Sequence, residues 1–156
     1  AVVWDAITHP EQLSKWFGDR ADIPTLKEGE PITFGWGDDL CKGVIQTIDE
    51  PTVFAFRWQS SRLGQSASYQ SDYATLVTFT LTPVPTGTHL HLIETGFANL
   101  PTTIDETVAV LSSDAKVPSE LSTGGKLPHN EQAYEDNVSG WTYELDELRT
   151  FVEQSV

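Results

Sequence analysis

The sequence predicts an α+β protein: an antiparallel sheet built as a meander, two short helical turns before it and a long helix after it. Three observations carry this. Between Ile32 and Gly96, runs of alternating apolar and polar residues follow one another, the pattern of strands joined by hairpins. Near the C-terminus, Val138, Trp141, Leu145, Leu148 and Val152 are spaced three, four, three and four, as on one face of a helix. At the start, Val3, Trp4 and Ile7 share a helical face that ends at Pro10.

Pro10 disfavours helical geometry at His9 and has no N–H to give. It can open a second helix, predicted to carry Leu13, Trp16 and Phe17 on one stripe. Helices this short do not stand alone in water, so they are expected to pack against the strands.

Residues 23–31 read as a loop. Ile32, Phe34 and Trp36 alternate with Thr33 and Gly35, giving a strand. Gly37-Asp38-Asp39 is a turn. Cys41–Asp49 is the next strand, closed by Asp49-Glu50-Pro51. Val53–Gln59 follows, with Phe54, Phe56 and Trp58 on one face and Val53, Ala55 and Arg57 on the other. Residues 60–73 are polar and read as a long hairpin loop. Ala74–Val84 carries Val77, Phe79 and Leu81 on one face, its threonines favouring β structure through their stiff χ1. After Pro85-Thr86-Gly87, the strand Thr88–Gly96 puts Leu90, Leu92 and Glu94 on one face and His89, His91, Ile93 and Thr95 on the other.

The stretch from Leu100 to Pro128 breaks the pattern. Thr103 and Glu106 form a capping-box signature before Ile104, Val108 and Leu111, and a polar, Gly- and Pro-containing segment follows. In the last helix Gly140 should cost about 1 kcal/mol against alanine. It suggests either a close backbone approach to the sheet or a helix that starts or kinks there.

The 156 residues include 23 acidic and nine basic side chains, a net charge of −14. Binding to a phosphate backbone or an anionic membrane needs clustered Lys and Arg, and here they are few and scattered. No nucleic-acid or membrane partner is therefore expected. The single cysteine, Cys41, permits no intrachain disulfide and no thiolate zinc cluster. No membrane span or signal peptide is visible, which reads as a cytoplasmic protein. There is no phosphate-binding glycine loop, nucleophile elbow or zinc-protease motif, so no cofactor is expected.

Together these pieces resemble the activator of heat-shock-protein-90 ATPase homologue family, in the START-like (SRPBCC, birch-pollen-allergen-like) superfamily. The likeness is carried by Val3-Trp4-Asp5-Ala6-Ile7-Thr8 with Pro10 and Trp16-Phe17. It continues through Gly43-Val44-Ile45 to Phe54-Ala55-Phe56-Arg57-Trp58, then Leu76–Pro83 and Gly87–Phe97, and ends at Asn137 with Gly140-Trp141. The resemblance implies a helix-grip fold: a curved antiparallel sheet wrapped around the C-terminal helix, a cavity between them, and the two short helices closing one end. Residues 1–156 would be one START-like domain, with 101–129 an insertion or mobile segment. The family's first strand is absent here, so residues are expected to precede Ala1.

On this fold the predicted cavity lining is Phe34, Trp36, Phe54, Phe56, Trp58, Val77, Phe79, Leu81, Leu90 and Leu92, faced by Trp141, Leu145 and Leu148, with Trp16 and Phe17 at the end. The same side chains could simply fill a core. Glu94 is the polar residue on the inner face. It could anchor a ligand or act as a general acid or base, but the residue pattern favours an exposed strand end or a pair with Arg57 or another basic residue. His89 and His91 share a face, yet with no third ligand nearby they read as a solvated surface rather than a metal site. Cys41 reads as structural.

The leading functional expectation is non-enzymatic binding of a small hydrophobic or aromatic ligand, as carrier or sensor. The family resemblance implies a second, a protein-interaction module that regulates a chaperone. The superfamily implies a third, an aromatase/cyclase-like enzyme, for which only Glu94 is available.

Overall fold

The computed structural model describes residues 1–59, 69–101 and 129–155. Two helices, α1 (Val2–Thr8) and α2 (Pro10–Leu13), lead into six strands: β1 (Arg20–Asp22), β2 (Pro31–Trp36), β3 (Asp39–Asp49), β4 (Val53–Gln59), β5 (Ala74–Val84) and β6 (Gly87–Thr95). Short 3₁₀ turns lie at Ser71–Tyr73 and Phe97–Asn99, and the last helix, α3, runs from His129 to Gln154. The strands form one antiparallel sheet in sequential order. The sheet is curved, and with α3 it makes the helix-grip α+β fold.

The alternation read from the sequence determines which face turns inward. Phe54 and Phe56 on β4, and Val77 and Phe79 on β5, are almost wholly buried. On β6, Leu90, Leu92 and Glu94 are half-buried while His89, His91 and Ile93 are exposed. Register places Phe54 opposite Phe79 and Phe56 opposite Val77, so apolar side chains stack across strands as well as along them. A bulge at Gln46 shifts the β3–β4 pairing between Ile45 and Thr47.

Three local expectations are corrected, and one strand is added. Strand β1 precedes the segment read as a loop; Arg-Ala-Asp has no apolar alternation, and only its pairing with Thr33–Gly35 makes it a strand. Helix α2 ends at Leu13 rather than reaching Phe17. The Ser14 hydroxyl donates to the Pro10 carbonyl at 2.8 Å, and a turn follows in which the Phe17 N–H donates to the Leu13 carbonyl. Gly18 then takes a left-handed φ of 67°. Its backbone lies so near β2 that an added Cβ would fall 2.3 Å from the Gly35 carbonyl oxygen.

On α3, Val138 is 49% exposed rather than on the buried face. Ala133 and Asn137, one turn apart, take the inward positions instead, because a three-four stripe drifts around a straight α-helix. Gly140 lies within a continuous helix and makes no close approach: a Cβ there would meet nothing within 4 Å. The capping-box helix expected after Thr103, most of the 60–73 loop and most of the 101–129 segment lie outside the described residues.

Candidate functional site

The site begins where β6 passes under α3. Strand alternation points Glu94 inward beside Leu90 and Leu92, and four side chains converge on its carboxylate. Trp58 Nε1 on β4 and Asn137 Nδ2 on α3 each donate to Oε1 at 2.9 Å. The Thr75 hydroxyl on β5 also donates to Oε1, and Trp141 Nε1 on α3 donates to Oε2 at 2.6 Å. Hydrogen bonds to a carboxylate are about twice as strong as those between neutral groups. The strand-end and Arg57-pair expectations both give way to this arrangement. Arg57 lies on the other face, its Nε donating to Gln46 Oε1 at 3.1 Å.

Glu94 thus sets the positions of two indoles, and Phe17 fills the space they leave. Its ring stacks on Trp141 at 5.0 Å with planes 7° apart, and meets Phe34 and Trp36 edge-on at 4.9 Å. Trp16 turns the other way, its Nε1 donating to the Ala6 carbonyl at 2.8 Å, which pins the short helices together. The sharp turn at Gly18 delivers Phe17 to this position.

Beside this cluster is a cleft of about 370 Å³, lined by Phe17, Trp36, Trp58 and Trp141 together with Asp39, Cys41, Asp136, Asn137, Gly140 and Glu144. The missing side chain of Gly140 leaves its α3 wall open. A smaller hollow of about 140 Å³ shares Cys41, Trp58, Asp136 and Asn137 and adds Tyr73, Thr75 and Leu100.

Glu144 is not among the residues that the sequence singled out. It is only 8% exposed, and it accepts from Trp36 Nε1 at 2.9 Å. Burial pushes its carboxyl above the ordinary range; the hydrogen bonds from Trp36 and the Gly18 N–H oppose this, and the charges of Glu147 and Asp19 add to it. One signal was available. Glu144 sits three residues after Trp141, near enough in helical angle to share its face.

The predicted lining residues divide by place. Trp36, Phe17, Trp58 and Trp141 line the cleft. Phe34, Phe54, Phe56 and Phe79 are buried ring against ring in the core. Leu90 and Leu145 line a separate groove of about 430 Å³ with Val3, Leu148 and Val152, and Leu92 packs half-buried on the core. Among the described residues, no group of three His, Cys, Asp or Glu side chains could hold a metal ion. No helix among them is long and apolar enough to cross a membrane.

A family model described as activator of Hsp90 ATPase homolog 1-like protein matches residues 1–110. Among solved structures, the chain is similar to a protein of Mesorhizobium loti, with a TM-score of 0.66 and 18% identity, covering 99% of this chain and 88% of that one. It is similar to a protein of Bacillus halodurans at a TM-score of 0.61 and 17% identity, over 97% and 86% of the two chains. An HSP90 activator from Plasmodium falciparum aligns at a TM-score of 0.50 and 19% identity, over 86% of each. At these identities the likeness is one of fold. A comparison with curated proteins found no match.

Proposed function

The chain belongs to the activator of Hsp90 ATPase homolog 1-like family, and on that premise we propose that it binds a small aromatic or hydrophobic ligand without transforming it. The observation that carries this reading is the cleft of about 370 Å³ walled by Phe17, Trp36, Trp58 and Trp141. That volume lies within the range of small-molecule sites, and apolar walls with a few polar groups are their usual lining. Glu94, the candidate acid or base, is held by four protein donors, which supports a structural role over a catalytic one.

A ligand that binds only the folded state raises its melting temperature. Thermal shifts against a panel of small aromatic compounds test the reading directly. A hit should lose its shift in Gly140→Trp, where the new side chain fills the cleft, provided the variant melts cooperatively. No shift across the panel argues against the cleft as a binding site.

A second reading, regulation of a chaperone, draws support from the family description and from the fold shared with the Plasmodium activator. Stimulation of a purified Hsp90 ATPase by the added chain is its test; an unchanged rate at saturating chain removes it.

A further inference from the structure

The charged lining of the aromatic cleft is of one sign. Asp39, Asp136 and Glu144 supply its carboxyl groups beside the neutral Cys41 and Asn137, and no Lys, Arg or His lines it among the described residues. The three indole N–H groups are turned to protein carboxylates, Trp58 and Trp141 to Glu94 and Trp36 to Glu144. They are therefore spent inside the protein and not offered to a ligand as donors. A carboxylate on the N–H also pushes electron density back into the indole ring, which strengthens its attraction for a cation.

A neutral apolar ligand would use the rings alone and gain nothing from the charge of the carboxylates, one of which, Asp136, also accepts from Gln132 Nε2. An anion would meet three like charges and no donor from the indoles. An organic cation matches both features: its charge meets Asp39 and Asp136 at the rim, and its body meets the rings. The chain's net charge of −14 adds a long-range field of the same sense, which concentrates cations near the surface.

Resting on the ligand-binding reading above, we infer that the cleft selects small aromatic cations, an ammonium or quaternised ring nitrogen beside a flat apolar body. Glu144 contributes in the same direction. Burial makes its charge costly, and a cation in the cleft relieves that cost.

Three probes of one size and shape separate charge from apolar contact: N-methylquinolinium, its neutral isostere 1-methylnaphthalene, and 1-naphthoate. Their binding to the full chain is measured by isothermal titration calorimetry. The cation should bind about tenfold more tightly than the neutral isostere, the size expected of a partly desolvated cation beside indoles, and the anion more weakly than either. In Asp39→Asn/Asp136→Asn the cation's advantage should shrink severalfold while the neutral isostere binds as before, which also shows the variant to be folded. Equal or tighter binding of the neutral isostere overturns the charge selectivity and leaves the ligand-binding reading standing. An undiminished cation preference in the double variant overturns the assignment to this cleft. If no probe of any charge binds, the underlying reading falls with it.

Discussion

Trp141 Nε1 donates to Glu94 Oε2 at 2.6 Å, joining the middle of α3 to the end of β6. Because Trp58, Thr75 and Asn137 use the other oxygen of the same carboxylate, one side chain links β4, β5, β6 and the helix. Removing it strands four donors at once. A buried donor left without a partner costs about 1–3 kcal/mol. Glu94→Ala should therefore destabilise the protein by at least ~3 kcal/mol, read as a lower denaturant midpoint. Glu94→Gln keeps the shape but turns an amide N–H₂ toward donors, and should cost less than the alanine variant yet stay clearly below wild type. A midpoint unchanged in both would mean that these hydrogen bonds do not hold helix to sheet.

Phe17 is the hinge between the short helices and the aromatic cluster. It is nearly inaccessible and stacks flat on Trp141. Phe17→Ala should cost ~3–5 kcal/mol through lost burial and the cavity left behind. Near-ultraviolet circular dichroism should also lose intensity, since four tryptophans touch that ring. Loss of stability with an unaltered tryptophan signal would contradict the stacking.

Two glycines should respond oppositely to alanine. Gly18 combines a left-handed φ with a Cβ position 2.3 Å from the Gly35 carbonyl oxygen, so Gly18→Ala has to move backbone and should be strongly destabilising. Gly140 lies in a continuous helix with open space around its Cβ, and Gly140→Ala should stabilise by up to ~1 kcal/mol. Chemical denaturation of the pair checks both signs.

Glu144 makes stability depend on pH. Its carboxyl titrates above the ordinary 4.5 in the folded protein, chiefly through burial, so the folded state holds that proton more tightly than the unfolded chain. The stabilising contribution is complete below the unfolded value and is lost as pH rises through the folded one. Glu144→Gln keeps an acceptor for Trp36 and cannot ionise. Its stability relative to wild type should therefore rise from acidic toward neutral pH, measured as the difference in unfolding free energy across that window. A difference that stays flat or falls would contradict the buried-carboxylate account.

Much of the architecture was legible because strand and helix periods write themselves into apolar spacing. The bounds of β4 and β5 and the inward face of β6 all follow from alternation, which is a property of neighbouring residues in one strand. Strand β1 was not legible, since three polar-flanked residues have no pattern until β2 lies beside them. Val138 was misplaced for a related reason: spacing specifies a stripe but not which part of it the sheet covers. At the candidate site, the inward direction of Glu94, Trp58 and Trp141 could be read from the chain, but their meeting could not.

By itself, then, the sequence determined the run of strands from β2 to β6, the long helix after them and the excess of acidic charge. Those depend on local periodicity, turn chemistry and composition, whereas the family rests on the likeness of its motifs to those of known proteins. Only the tertiary structure decided that Phe34, Phe54, Phe56 and Phe79 are shut inside the core while Phe17, Trp36, Trp58 and Trp141, packed on that same core, also border a cleft, and that Glu94 and Glu144 hold the indoles around it. These outcomes depend on the distance between side chains 36 to 108 positions apart in sequence, which packing of helix against curved sheet sets and no local pattern encodes.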